Sequence, residues 1–257
     1  MNYFDTHCHL NHELFRDDLE EVLKRAFDSG LRQILVPGWD IESSKKAVLL
    51  AEKYPQLFAA VGIHPTEWQK CDAQAIEEIG VLAHHSRVVA IGEIGLDFHH
   101  DSEHRKEQGD LLLKMFAIAD AVKKPVLIHS RESINEMMEY LIKWNRRANS
   151  SILHSFEGSL DQAEKLVEMG FVLGVGGPLT YKNSTLKKQV FSEISDQAIV
   201  LETDSPYLPP VPHRGERNEP QYLPLVGDEL VALRGQDKTG LLNQIYQNSY
   251  KMFLEEK

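Results

Sequence analysis

Five short runs carry residues that bind metals: Asp5-Thr6-His7-Cys8-His9, Gly92-Glu93-Ile94-Gly95-Leu96-Asp97, Leu127-Ile128-His129, Leu153-His154 and Leu201-Glu202-Thr203-Asp204. Each follows an apolar stretch rich in β-branched residues. Together they supply His7, His9, His129, His154, Glu93 and Asp204. Mixed imidazole and carboxylate donors suit hard or borderline divalent cations, and six of them suit two ions. A two-metal site narrows the chemistry to hydrolysis, most often of a phosphate ester.

Spacing assigns roles within the set. Residues i and i+2 of an extended chain face the same way, so His7 and His9 reach one ion while Cys8 turns away into packing. Glu93 stands in a Gly-Glu-Ile-Gly run, whose small residues are read as leaving room for metals and substrate. Its two oxygens let it bridge the ions. Lys123 and Lys124 precede the fifth strand, on the wrong face of a barrel to replace it. His129 and His154 share the second ion with Glu93. Asp204 completes the first ion and serves as the base for the attacking water. His64, in Gly62-Ile63-His64-Pro65, is assigned to the scissile phosphate or its leaving group, against the alternative of a hydrogen-bonded pocket histidine. Arg131 holds a phosphate through its planar fork or pairs with an acid. Arg214 and Arg217 form a phosphate clamp or pocket wall, or else tie a loop through charge pairs. Asp97 reads as a structural hydrogen-bonding group and Glu202 as a residue that orients a ligand. His84, His85, His99, His100 and His104 read as solvated surface.

These residues need a scaffold that gathers strand ends. Strands are predicted to begin near Tyr3, Gln33, Leu57, Val88, Pro125, Ser151, Phe171 and Ile199, alternating with amphipathic helices. Runs such as Gln33-Ile34-Leu35-Val36 are continuously apolar, as in sheets covered on both faces. One helical stripe runs from Leu14/Phe15 through Leu19 and Leu23 to Ala26/Phe27, stopped by Gly30. Others run from Leu112 to Val122 and from Leu160 to Val167. A Pro-rich loop covers 206–224, followed by helices near Leu223–Leu233 and Thr239–Leu254. A closed barrel brings the ends of strands one, four, five, six and eight to one mouth, where an open sheet does not. The fold class is therefore α/β, a TIM-type (β/α)8 barrel forming a single domain over 1–257.

Bulk properties bound the function. The chain has 257 residues and a formal net charge of −11. That charge disfavours a protein that coats nucleic acid, but bound cations neutralise phosphate locally. Two cysteines exclude a disulfide framework and suit a reducing compartment. The N-terminus lacks a signal-peptide pattern, and no apolar run is long enough for a bilayer. The expectation is a soluble, cytoplasmic monomer with no membrane partner.

The chain resembles the TatD family of metal-dependent hydrolases, within the amidohydrolase-like barrels, and in particular its bacterial YjjV branch. The resemblance runs from Asp-Thr-His-Cys-His-Leu at 5–10 through Gly-Ile-His-Pro at 62–65 and Gly-Glu-Ile-Gly-Leu-Asp at 92–97. It continues through Ile-His-Ser-Arg at 128–131, His-Ser-Phe-Glu-Gly at 154–158 and Glu-Thr-Asp-Ser-Pro-Tyr-Leu at 202–208 to Arg-Asn-Glu-Pro at 217–220. It implies a metallo-dependent hydrolase barrel with two divalent ions (Zn, Mg, Mn, Ni or Co) on the same six ligands. It also implies phosphodiesterase activity on single-stranded DNA ends, as a 3′→5′ exonuclease. The alternatives are hydrolysis of a small amide, lactone or phosphoester in the same site, or a non-catalytic metal-binding barrel. Asn11 and Thr66 depart from the family pattern, which often has Asp and His there. Thr66 bears on the substrate side of the pocket.

Overall fold

Eight short parallel strands hydrogen-bond in strict chain order in a computed structural model that describes residues 1–144 and 151–255. They are β1 (Tyr3–Asp5), β2 (Leu31–Pro37), β3 (Leu57–Val61), β4 (Val88–Asp97), β5 (Val126–Arg131), β6 (Ile152–Leu153), β7 (Val172–Val175) and β8 (Ile199–Leu201). The ring closes just beyond β1 and β8. Thr6 N donates to Leu201 O at 3.0 Å, Asp204 N to His7 O at 2.8 Å and His9 N to Ser205 O at 2.8 Å. The result is the eight-stranded barrel that the alternation of strands and helices predicts.

The helices are α1 (Leu19–Asp28), α2 (Ile41–Lys53), α3 (Ala73–Ala83), α4 (Arg105–Val122), α5 (Ile134–Trp144), α6 (Leu160–Glu168), α7 (Thr185–Glu193), α8 (Leu223–Arg234) and α9 (Lys238–Phe253). Local chemistry marks their ends. Asp40 and Ser43 form a capping box on α2, and Ser159 and Gln162 form one on α6. Gly235 takes the left-handed conformation that ends α8. The single stripe expected from Leu14 to Phe27 is divided. Residues Glu13–Phe15 make a separate 3-10 turn and α1 begins only at Leu19, although Phe15 is fully buried.

Two apolar layers result. The larger lies between strands and helices. The smaller fills the barrel with one residue from every strand: Phe4, Leu35, Ala60, Ala90, Leu127, Ile152, Val172 and Val200. Met252 of α9 completes it, with Phe253 and Leu254 packed alongside. Counting by twos onward from this layer leads to the mouth on three strands: Leu127 to His129, Ile152 to His154, and Val200 to Glu202 and Asp204. Among the described residues, no helix is long and apolar enough to cross a membrane.

Candidate metal centre

Glu93 would face the wrong way if β4 kept its alternation from Ala90. It does not, because the pairing slips. Ile91 pairs with Val126 but Ile94 pairs with Ile128, so three residues on β4 oppose two on β5. This bulge re-aims Glu93 into the barrel and leaves its N–H donating to Gly38 O at 2.7 Å. Glu93 therefore sits within β4, not at the strand end the spacing suggested. The flanking glycines also serve a different purpose from the one expected. A Cβ on Gly92 would lie 2.6 Å from the Leu127 side chain, and one on Gly95 would lie 1.9 Å from His129 O. They admit the neighbouring strand rather than a substrate.

The two Glu93 oxygens divide the histidines. Oε2 lies 3.4 Å from His7 Nε2 and 3.6 Å from His9 Nε2. Asp204 Oδ1 lies 3.7 and 3.5 Å from the same two nitrogens, which are 3.1 Å apart. Oε1 lies 2.9 Å from His129 Nδ1, 3.6 Å from His154 Nε2 and 3.8 Å from His64 Nε2. Donors held tetrahedrally at about 2.1 Å from one ion stand roughly 3.4 Å apart. The separations around each oxygen fit that spacing. The converging imidazole nitrogens of His7 and His9 and the Asp204 carboxylate also form a mixed donor set that suits a cation. Donor atoms of His7, His9 and Asp204 lie within 4.8 Å of one another, as do those of His64, Glu93 and His129, so each group could hold a cation, with His154 facing Glu93 Oε1 from the side.

Acidic groups behind the ligands hold them in place. Asp97 Oδ2 lies 3.1 Å from His129 Nε2 and 2.7 Å from His100 Nδ1. Glu202 Oε1 lies 3.2 Å from His154 Nδ1 and accepts Ser155 N at 2.6 Å. Glu202 also comes within reach of His7. Its room comes from Gly174, where a Cβ would lie 2.3 Å from Oε2. Such carboxylate–histidine pairs fix ring orientation and raise ligand basicity. Asp204 adopts φ 57°, a left-handed conformation that Asp tolerates better than most residues.

The electrostatics favour ionised carboxylates. Burial alone would raise the Glu93 carboxyl, but His7, His64 and His129 outweigh it and hold Glu93 well below its usual range. Asp204 is lowered in the same way: burial opposes ionisation, and hydrogen bonding to His9 with the charges of His154 and His7 overcomes it. Burial depresses His7, and burial with neighbouring His129 pushes His64 down to about 3, so both are poised as neutral bases. His154 goes the other way. Burial lowers it, yet Glu202, Asp204 and Glu93 carry it up to about 10.

The centre opens into a cavity of about 600 Å³ whose lining includes Trp39, His64, Thr66, His100, Arg131 and Tyr207. His64 caps a 3-10 turn and lies 2.7 Å from the Thr66 hydroxyl through Nδ1, which leaves Nε2 aimed at Glu93. Thr66 thus supports a neighbouring histidine. Arg131 lines the mouth. Arg214 and Arg217 do not. Arg214 lies over the Tyr181 ring at 4.2 Å. Arg217 is held by Asp18 at 2.9 and 2.6 Å, Glu219 at 2.7 Å and Leu14 O at 2.7 Å. Arg217 thus takes the charge-pair role, tying the loop after β8 to Asp18 and Glu219, while Arg214 rests on Tyr181 outside the cavity lining. His100, read as solvated surface, is exposed and also lines the cavity, because the turn after β4 folds it back onto Asp97. Its i+3 spacing from Asp97 was the available signal.

Comparison with known proteins agrees with this geometry. The family described as TatD related DNase matches residues 4–254. "Uncharacterized metal-dependent hydrolase YabD" of Bacillus subtilis is 35% identical over 250 residues, covering 97% of this chain and 98% of that protein. "3′-5′ ssDNA/RNA exonuclease TatD" of Dickeya dadantii is 32% identical over 256 residues, covering 97% of each. The crystal structure of YjjV, a TatD homologue from Escherichia coli, superposes with a TM-score of 0.94 at 32% identity over 99% of this chain and 98% of that one. With the barrel, its internal donor set and these matches in agreement, the chain belongs to the TatD family.

Proposed function

We propose that this protein is a metal-dependent phosphodiesterase that removes nucleotides from the 3′ end of single-stranded DNA or RNA. The observation that carries the reading is the division of Glu93 between two donor groups, with Oε2 toward His7 and His9 and Oε1 toward His129 and His154. Two divalent ions bound there would neutralise phosphoryl charge and lower the pKa of the attacking water. The protein supplies the rest. Asp204, held ionised, orients the water and takes its proton. Neutral His64, steadied by Thr66, faces the phosphate or its leaving oxygen. Arg131 offers its guanidinium to an adjacent phosphate. Relatives named as 3′-5′ ssDNA/RNA exonucleases support this choice of substrate.

The test is a 5′-labelled single-stranded oligonucleotide incubated with metal-reconstituted protein, beside Glu93→Ala and a chelator control. Stepwise shortening that vanishes in both controls is expected. A metal-loaded protein that leaves the strand intact would instead point to a small phosphoester, amide or lactone. That second reading is favoured by a cavity sized for one small ligand and by the acidic surface.

A further inference from the structure

Trp39 and Tyr207 come from loops far apart in sequence yet flank the same two imidazoles. Trp39 lies 5.4 Å from His9 and 6.1 Å from His12; Tyr207 lies 6.0 Å from His9 and 5.9 Å from His12, all between ring centroids. The contacts are edge-on or tilted, so among the described residues neither ring is stacked face to face. Tyr207 is 50% exposed and Leu208 beside it 37%. Trp39, Tyr207 and Leu208 all line the cavity that holds the metal-type donors, so their open faces are presented to whatever enters it.

Barrel order separates this wall from the polar one. Trp39, His9 and Tyr207 follow β2, β1 and β8, which are neighbours. His64, His100 and Arg131 follow β3, β4 or lie at the end of β5, on the next arc of the ring. The cavity therefore has an aromatic side, a side of hydrogen-bond donors and cations, and a metal-binding floor. A terminal nucleotide has the matching parts: a π-faced base, an anionic backbone and a scissile phosphate.

Building on the phosphodiesterase reading, we propose that Trp39 and Tyr207 form a base-stacking wall that selects substrates ending in an unpaired nucleobase. A terminal base paired in a duplex keeps its inner face stacked and its edge hydrogen-bonded, so it must unpair before it can turn onto this wall. Stacking is tolerant of base identity, so the wall sets strandedness rather than sequence.

The experiment compares two short single-stranded oligonucleotides, one ending in a 3′ thymidine and one in a 3′ abasic tetrahydrofuran unit, with magnesium-loaded protein. Wild type is expected to prefer the thymidine end in kcat/KM by on the order of 10-fold. Trp39→Ala and Tyr207→Ala bring that ratio toward one, while Trp39→Phe, which keeps a ring, preserves most of it. Alanine variants that retain the wild-type ratio overturn the proposal. If wild type shortens neither strand, the phosphodiesterase reading has failed, and fluorescence then decides the wall alone. Thymidine 5′-monophosphate should quench wild type more than Trp39→Phe, whose emission comes from Trp68 and Trp144. Equal or absent quenching in the two proteins overturns the wall.

Discussion

Glu202 touches no water-filled space, being wholly buried, yet it stands behind His154 and sets how that ring meets the centre. Replacing it with Gln keeps the volume and removes the charge. Glu202→Gln is expected to weaken metal affinity by about 10- to 100-fold, read by competition with a chelator. An unchanged affinity would mean that Glu202 serves only the Ser155 turn. The ligand-type residues were legible in sequence because alternation along a strand fixes their direction: Leu127 predicts His129, and Ile152 predicts His154. Glu202 was legible for the same reason, two residues before Asp204. The cavity position of His100 was not, since loop geometry rather than strand period decides where it points. For Arg217 the charge-pair reading was available, but its distant partner was not. Nothing in its local sequence says that Asp18, on the approach to α1, will meet it first.

Among the elements, β4 is the one whose irregularity the site depends on. Gly95 holds φ 152°, and a Cβ there would lie 1.9 Å from His129 O, so it admits no side chain. Gly95→Ala should cost more than about 1 kcal/mol in urea unfolding and disturb His129, lowering metal stoichiometry. A variant of normal stability and metal content would show that the strand pair can part there freely. The bulge itself was hidden, because apolar patterning through Val88–Leu96 is continuous and gives no phase to follow. The loop after β8 makes the second case. Burial raises the Glu219 carboxyl, but Arg25 and Arg217 more than offset it, so its folded pKa is depressed. A depressed carboxyl stabilises in full above its unfolded value, about 4.3, and loses that contribution as pH falls through the folded value. Glu219→Gln should therefore cost about 3 kcal/mol at pH 7, with the gap to wild type narrowing below about pH 4. A gap constant from pH 3 to 7 would refute the linkage.

At the scale of the molecule, closure of the barrel holds donors from five separated strands together, so metal binding and folding are coupled. An ion present at a thousand times its Kd adds about 4 kcal/mol of stability. For a chain of this size that raises Tm by roughly 10 °C. Chelation should reverse the rise, and a Tm indifferent to chelator would argue that the donor set stays empty in solution. The α/β rhythm made the barrel legible from sequence, since strands buried on both faces are continuous and helices are periodic. The divided first stripe was less so, because Phe15 is buried from a turn rather than a helix. One feature at the other end of the ring carries a traffic rule. Met252, Phe253 and Leu254 of the C-terminal helix stopper the barrel beneath the ring of inner apolar residues. Among the described residues the filled barrel is a cul-de-sac, so on the phosphodiesterase reading a product would leave by the cavity through which the next substrate enters. Exit and entry would then compete for that doorway, and a product that lingers would inhibit the substrate behind it.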